Sequence, residues 1–193
     1  MANMVAVTES QLRDLYEVQG KTDKQIAGEY GVDRTRISQL RKQWGITTRL
    51  TVFDKGVKDV TDKLESLGFK VKNVKKDDKT ANYDLLLNDL IKIEVRTSSA
   101  LDRGRQHFRL LEQASTGVVE SDIRIKLKNG HFRKLFRRTC DYIIFVGYEE
   151  GNINYWVMRS STVTDTIQSL GLNISPMVTS KFDVCRDAWH III

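Results

Sequence analysis

The stretch from Tyr83 to Ser99, Y-D-L-L-L-N-D-L-I-K-I-E-V-R-T-S-S, constrains this chain more than any other. It reads as two short strands joined by a turn at Asn88-Asp89. Ile91, Ile93 and Val95 alternate with Lys92, Glu94 and Arg96, so the second strand has one apolar and one charged face. Asp84 opens the first strand. A strict two-residue turn pairs Leu87 with Leu90, hence Asp84 with Ile93, and sends the two acids to opposite faces. A three-residue loop or a bulge brings Asp84 opposite Glu94. If the carboxylates share a site, this hairpin must be irregular. Two carboxylates beside a core strand can hold a hard divalent cation such as magnesium, which takes water and phosphate oxygens as further ligands. A neighbouring cation can neutralise charge on a phosphate in transfer. Together they suit metal-assisted hydrolysis of a phosphodiester.

The pattern Asp84…Glu94-Val95-Arg96 resembles the signature of the PD-(D/E)xK nucleases, the superfamily of many restriction enzymes, Holliday junction resolvases and some homing endonucleases. The resemblance implies that Asp84 and Glu94, with the Val95 carbonyl, bind Mg2+ and activate water. Arg96 stands where the family usually has lysine. Arginine keeps its proton, so it can orient and stabilise a phosphate but cannot serve as a general base. Lys92, on the same side of the strand as Glu94, is the alternative source of an amine. Double-strand cutting needs two active sites, so the resemblance also implies a homodimer. A surface hairpin with solvated charges carries the same short pattern.

An independent signal precedes it. Thr8 can cap a helix reaching about Val18, with Leu12, Leu15, Tyr16 and Val18 facing inward. Thr22 caps a second helix that carries Ile26 and Ala27 and stops at Gly31-Val32. Asp33 or Arg34 opens a third, with Ile37, Leu40 and Trp44 on the packed side and Gly45 at its end. The three helices resemble a helix-turn-helix in which Asp33 to Trp44 is the recognition helix. Its exposed side is expected to carry Arg34, Thr35, Arg36, Ser38, Gln39, Arg41 and Lys42, residue types that read base edges or hold phosphates. A three-helix bundle that binds protein is the competing reading. Thr47 to Thr51 looks like a short linker.

Beyond it, Phe53, Val57, Val60, Leu64 and Leu67 repeat at helical spacing up to Gly68, and Phe69, Val71 and Val74 follow as a strand. Asp54 is a further candidate acid on that helix, or else an N-terminal charge favourable to its dipole. Arg124 to Arg138 contains seven Lys or Arg residues and no acid, around a tight turn at Lys128-Asn129-Gly130 and a short helix from Phe132 to Thr139. Arg133, Lys134 and Arg137 in this stripe suit a DNA backbone. Gln113 is a remote candidate for the metal site. Asp141 to Val146 is the strongest core strand, Tyr155 to Met158 its return, and Ser161 to Leu170 reads as a helix. The apolar tail around Trp189 suits docking at a sheet edge or a subunit interface.

With 193 residues, 40% of them hydrophobic, the chain has material for one or two domains. Its net charge of +6 favours a polyanionic partner. Cys140 and Cys185 lack zinc spacing, His107, His131 and His190 are scattered, and neither a signal peptide nor a membrane-spanning run is evident. A cytoplasmic α/β protein is expected: a three-helix helix-turn-helix over 1–48, then a restriction-endonuclease-like mixed-sheet core over 53–193. The reading is a magnesium-dependent, site-specific endonuclease of restriction, homing or phage type acting on double-stranded DNA. The alternatives are a non-enzymatic DNA-binding regulator with a degenerate nuclease fold and a resolvase-like, structure-specific nuclease.

Overall fold

Threonines write the helix starts in this chain. Thr8, Thr22 and Thr51 each accept a hydrogen bond from the backbone N–H three residues on, and the side chains of Gln11, Gln25 and Asp54 accept one in return. The computed structural model describes residues 7–112, 119–175 and 179–193 and divides into two units, residues 1–50 and 51–193.

In the first unit, α1 (Glu9–Arg13) continues as a π-helical turn (Asp14–Val18) and is followed by α2 (Asp23–Tyr30) and α3 (Arg34–Gln43). Leu12, Ile26 and Ile37 are fully buried between them. Gly31 ends α2 at φ +62°, a left-handed conformation that a side chain resists. Asp33 caps α3 through the Thr35 N–H at 2.7 Å. Val18, expected inside, is exposed: the wide turn holds an extra residue and rotates it off the apolar stripe.

The second unit begins with α4 (Val52–Ser66), whose Val57, Val60 and Leu64 are buried at the expected spacing. β1 (Val71–Asn73) leads into one turn of helix, α5 (Val74–Asp77), so Val74 opens a helix rather than extending the strand; Asn73 caps it through the Lys76 N–H. The hairpin β2 (Leu85–Leu87) and β3 (Ile91–Ser98) comes next. After it the chain forms β4 (Leu101–Asp102), β5 (Arg105–Arg109), β6 (Leu111–Glu112), β7 (Arg124–Lys126), β8 (Phe132–Lys134) and α6 (Phe136–Thr139). The long hairpin β9 (Tyr142–Glu149) and β10 (Asn152–Arg159) and a last strand β11 (Ser169–Asn173) complete the described elements.

The main sheet runs β1-β2-β3-β9-β10, parallel only between β3 and β9. Both its faces are covered, which is why β9 reads as an unbroken apolar run. One face packs α4 and the C-terminal Trp189 and Ile192; the other packs Phe108, Phe136, Phe145 and Trp156. Helices N-terminal to a mixed α/β sheet core are as the sequence suggests. α4 lies close on β3 because residue 56 is glycine: a Cβ there would stand 2.2 Å from Thr97 Cγ2.

Two expected helices are different in the structure. Ser161 to Leu170 is a 3-10 turn at Ser160–Thr162 and then leads into β11, which pairs with β5. Its β-branched Thr162, Val163 and Thr164 disfavour a helix, and Leu170 and Leu172 alternate into the core. Phe132 to Thr139 is split into β8 and α6, because β8 completes a hairpin with β7 around the turn at Gly130. Gln113 lies outside the described residues.

Candidate active site

The hairpin is irregular in the way a shared acid site requires. Leu87 pairs with Ile91, leaving a three-residue loop, Asn88 to Leu90, with Asn88 and Asp89 at φ +49° and +60°. Continuing the register from Leu85–Ile93 sets Asp84 opposite Glu94. The Asp84 N–H still bonds to the Ile93 carbonyl at 2.9 Å, but β2 has begun only at Leu85. The Asp84 side chain serves the neighbouring amide instead: Oδ2 accepts from the Val95 N–H at 2.7 Å. Oδ1 lies 2.6 Å from Lys75 Nζ, an ion pair without hydrogen-bond alignment.

Glu94 is 2% exposed and held by two cations: Arg96 Nη2 at 2.7 Å from Oε1, and Lys134 Nζ at 2.6 Å from Oε2. Lys134 Nζ also donates to the Asn82 carbonyl. Behind it, Arg133 is fully buried, with Nε on the Ile167 carbonyl at 2.8 Å, Nη1 on the Lys134 carbonyl, and its guanidinium 4.2 Å from the centre of the Phe136 ring. Burial and the nearby Arg96 charge push its pKa down to about 10.

The two acids are electrostatically unlike. Burial, and then the charge of Glu94, hold Asp84 above the usual carboxylate range. Burial also opposes ionisation of Glu94, but Arg96 and Lys134 outweigh it and hold Glu94 below that range. Asp84 therefore protonates first. Glu94 borders an open cleft of about 670 Å³, lined also by Lys75, Lys79, Arg96, Glu112, Arg124 and Lys134, and Asp84 lies buried behind its ion-pair partner Lys75.

The fold thus brings Asp84, Glu94, Val95 and Arg96 together. It does not bring Lys92, which is exposed and places Nζ 5.5 Å from the centre of the Tyr83 ring, while its N–H donates to Asp141. Arg133 and Lys134 do not form the expected surface stripe: both turn inward, one toward Phe136 and the other onto Glu94. Arg137 stays exposed and pairs with Asp165. Asp54 is spent in the capping box of α4. No spacing in the sequence marks Lys75 or Lys134 as a partner of the two acids.

The oxygens present are of the kind a magnesium-type ion takes, and such an ion would have to displace the cations now on them, Lys75 on Asp84 and Arg96 and Lys134 on Glu94. Asp84 Oδ1, buried without a hydrogen-bond partner, the Glu94 carboxylate and the Val95 carbonyl are all hard donors. No cluster of three or more His, Cys, Asp or Glu suited to a metal occurs among the described residues, so an ion held here would need water or phosphate oxygens as further ligands.

In the first unit, α3 exposes Arg34, Thr35, Arg36, Gln39 and Lys42, with Ser38 half-buried. Arg41 departs from expectation. It is buried, pairs with both carboxylate oxygens of Asp23 at 2.7 and 2.8 Å, and lies 4.2 Å from the centre of the Tyr16 ring. Its place one turn after Ile37, beside Leu40, puts it on the packed face of the helix.

No protein-family model and no curated protein matches this sequence. A solved structure of a bacterial homing endonuclease, I-Ssp6803I, is similar, with a TM-score of 0.56 over 73% of this chain and 90% of that one. The fold is endonuclease-like. At 14% identity the likeness speaks for the fold and leaves the chemistry to the residues. No helix among the described residues is long and apolar enough to cross a membrane.

Proposed function

We propose that this protein is a magnesium-dependent, site-specific DNA endonuclease of the PD-(D/E)xK kind, working as a homodimer on double-stranded DNA. The observation that carries the reading is the pair Asp84 and Glu94, buried side by side, with Glu94 on a cleft whose wall also carries Lys75, Lys79, Arg96, Lys134 and the Arg124–Glu112 ion pair. Asp84, Glu94 and the Val95 carbonyl would hold the ion, which supplies Lewis-acid activation of water and phosphate. Arg96 donates to a phosphate oxygen as charge grows on it. Lys75, a third exposed, can leave Asp84 for the DNA backbone, and Lys79 and Arg124 extend the cationic wall. Arg34, Arg36, Gln39 and Lys42 on α3 present the donors that read or grip a duplex, as in a helix-turn-helix.

The test is incubation with mixed plasmid and phage DNA, in magnesium or EDTA, beside an Asp84→Ala/Glu94→Ala variant. Discrete fragments that need magnesium and vanish in the variant are expected. One observation favours a second reading, a DNA-binding regulator without cleavage: Lys75, Arg96 and Lys134 already compensate both acids. That reading predicts tight, salt-sensitive binding and no cutting of linear or branched DNA.

A further inference from the structure

Lys134 is the residue whose placement the motif does not explain. It comes from β8, outside the main sheet, yet its ammonium sits on the carboxylate that Arg96 also holds. Three features mark it as built into the site. Its side chain is 7% exposed, so it is positioned by packing and not drifting over a surface. Its backbone pairs with Arg124 of β7, the preceding Arg133 and Phe132 pair with β6 on the other side, and its carbonyl accepts from the buried Arg133. Its ammonium has three N–H donors, of which Asn82 and Glu94 take one each, and it lines the cleft.

We propose that Lys134 is a catalytic residue in its own right, a second cation beside Arg96 whose remaining N–H contacts the phosphate under attack. The proposal rests on the nuclease reading above. In the hydrolysis, the water oxygen bonds to phosphorus and the bond from phosphorus to the leaving oxygen breaks. One water proton ends on the leaving oxygen and the other is lost to solvent from the new phosphate monoester. Lys134 neither gains nor loses a proton overall; it donates to the non-bridging oxygen where negative charge accumulates. Arg133 is a positioning residue behind it, and Lys92 has no part.

The test compares wild type, Lys134→Met, Lys134→Arg and Asp84→Ala, all as the full chain. Cleavage of phage DNA at saturating protein is followed beside DNA affinity and magnesium affinity by calorimetry without DNA. Lys134→Met, a chain of similar length without charge, is expected to cut at least about 100-fold more slowly with unchanged DNA affinity. The same variant should bind magnesium more tightly, because one positive charge has left Glu94. Lys134→Arg should recover part of the rate. Cleavage by Lys134→Met at the wild-type rate overturns the inference and leaves the nuclease reading standing. Weakened magnesium binding in Lys134→Met also overturns it, since a lysine that only holds the acids in place would leave them misplaced for the ion when removed. Absence of magnesium-dependent cutting by wild type overturns both.

Discussion

The Glu94–Lys134 pair lends itself to a stability cycle that needs no substrate. Both side chains are at least nine-tenths buried, and each is the other's close partner at 2.6 Å. Glu94→Gln strands Lys134 and Arg96 beside a neutral amide, and breaking a buried pair from this side costs about 3 kcal/mol. Lys134→Met leaves Glu94 with Arg96 and also removes the burden of a buried ammonium, so a loss of about 1 kcal/mol is expected. The double variant no longer buries the stranded ammonium. It should lose about 2 kcal/mol rather than the sum of the singles, a coupling of about 2 kcal/mol. Urea unfolding is read by fluorescence in a Trp44→Phe background, where Trp156 and Trp189 report only on residues 51–193. Strictly additive losses, or a larger loss from Lys134→Met than from Glu94→Gln, would refute the reasoning.

Other perturbations follow from the same contacts. Gly56→Ala gains about 1 kcal/mol of helix propensity but drives a methyl into Thr97, for a net loss of about 1 kcal/mol. Adding Thr97→Ser removes the clashing Cγ2 and should restore wild-type urea stability or better; no recovery would mean the helix is not set by this contact. Asp84 has a raised pKa when folded, so its contribution to stability is present below the unfolded value and is lost as pH rises through the folded one. Asp84→Asn should therefore raise the melting temperature at pH 7 while abolishing magnesium-dependent cleavage. That gain should vanish in melts below about pH 4, where the aspartate is already neutral. In the first unit, Arg41→Ala strands the half-buried Asp23 and should cost about 2 kcal/mol in a melt read through Trp44. Arg36→Ala should leave that melt unchanged and weaken binding to a cognate duplex about tenfold in a gel-shift titration.

Which features were legible depended on how far apart the interacting residues lie. The Thr8 and Thr22 helix starts were legible because a threonine and its capping partner are three residues apart, so the whole interaction is local; Thr51, read as the end of a linker, caps α4 in the same way. The strands β3, β9 and β10 were legible because their burial follows the residue pattern itself. The acid hairpin was legible with a condition attached, and the three-residue loop met it, since register within a hairpin is set by a turn only a few residues away. Arg41 was misread although the signal was present: its spacing from Ile37 is that of the packed face, but a charged side chain suggests solvent until Asp23 is seen to receive it.

The residues around the acids were another matter. Lys134 meets Glu94 across 40 positions of sequence, and no period or spacing reports a contact of that length. Its arrival depends on β8 pairing with β6 and β7 and on Arg133 turning inward over Phe136, all decided by which strands become neighbours. Lys75 reaches Asp84 only because β1 ends early and α5 turns back toward β2. By itself the sequence determined the two acids, the core strands and the caps, because those are governed by neighbours along the chain. The tertiary structure alone brought Lys75 and Lys134 to the acids, because a buried charge settles on whichever partner the assembled sheets bring within reach.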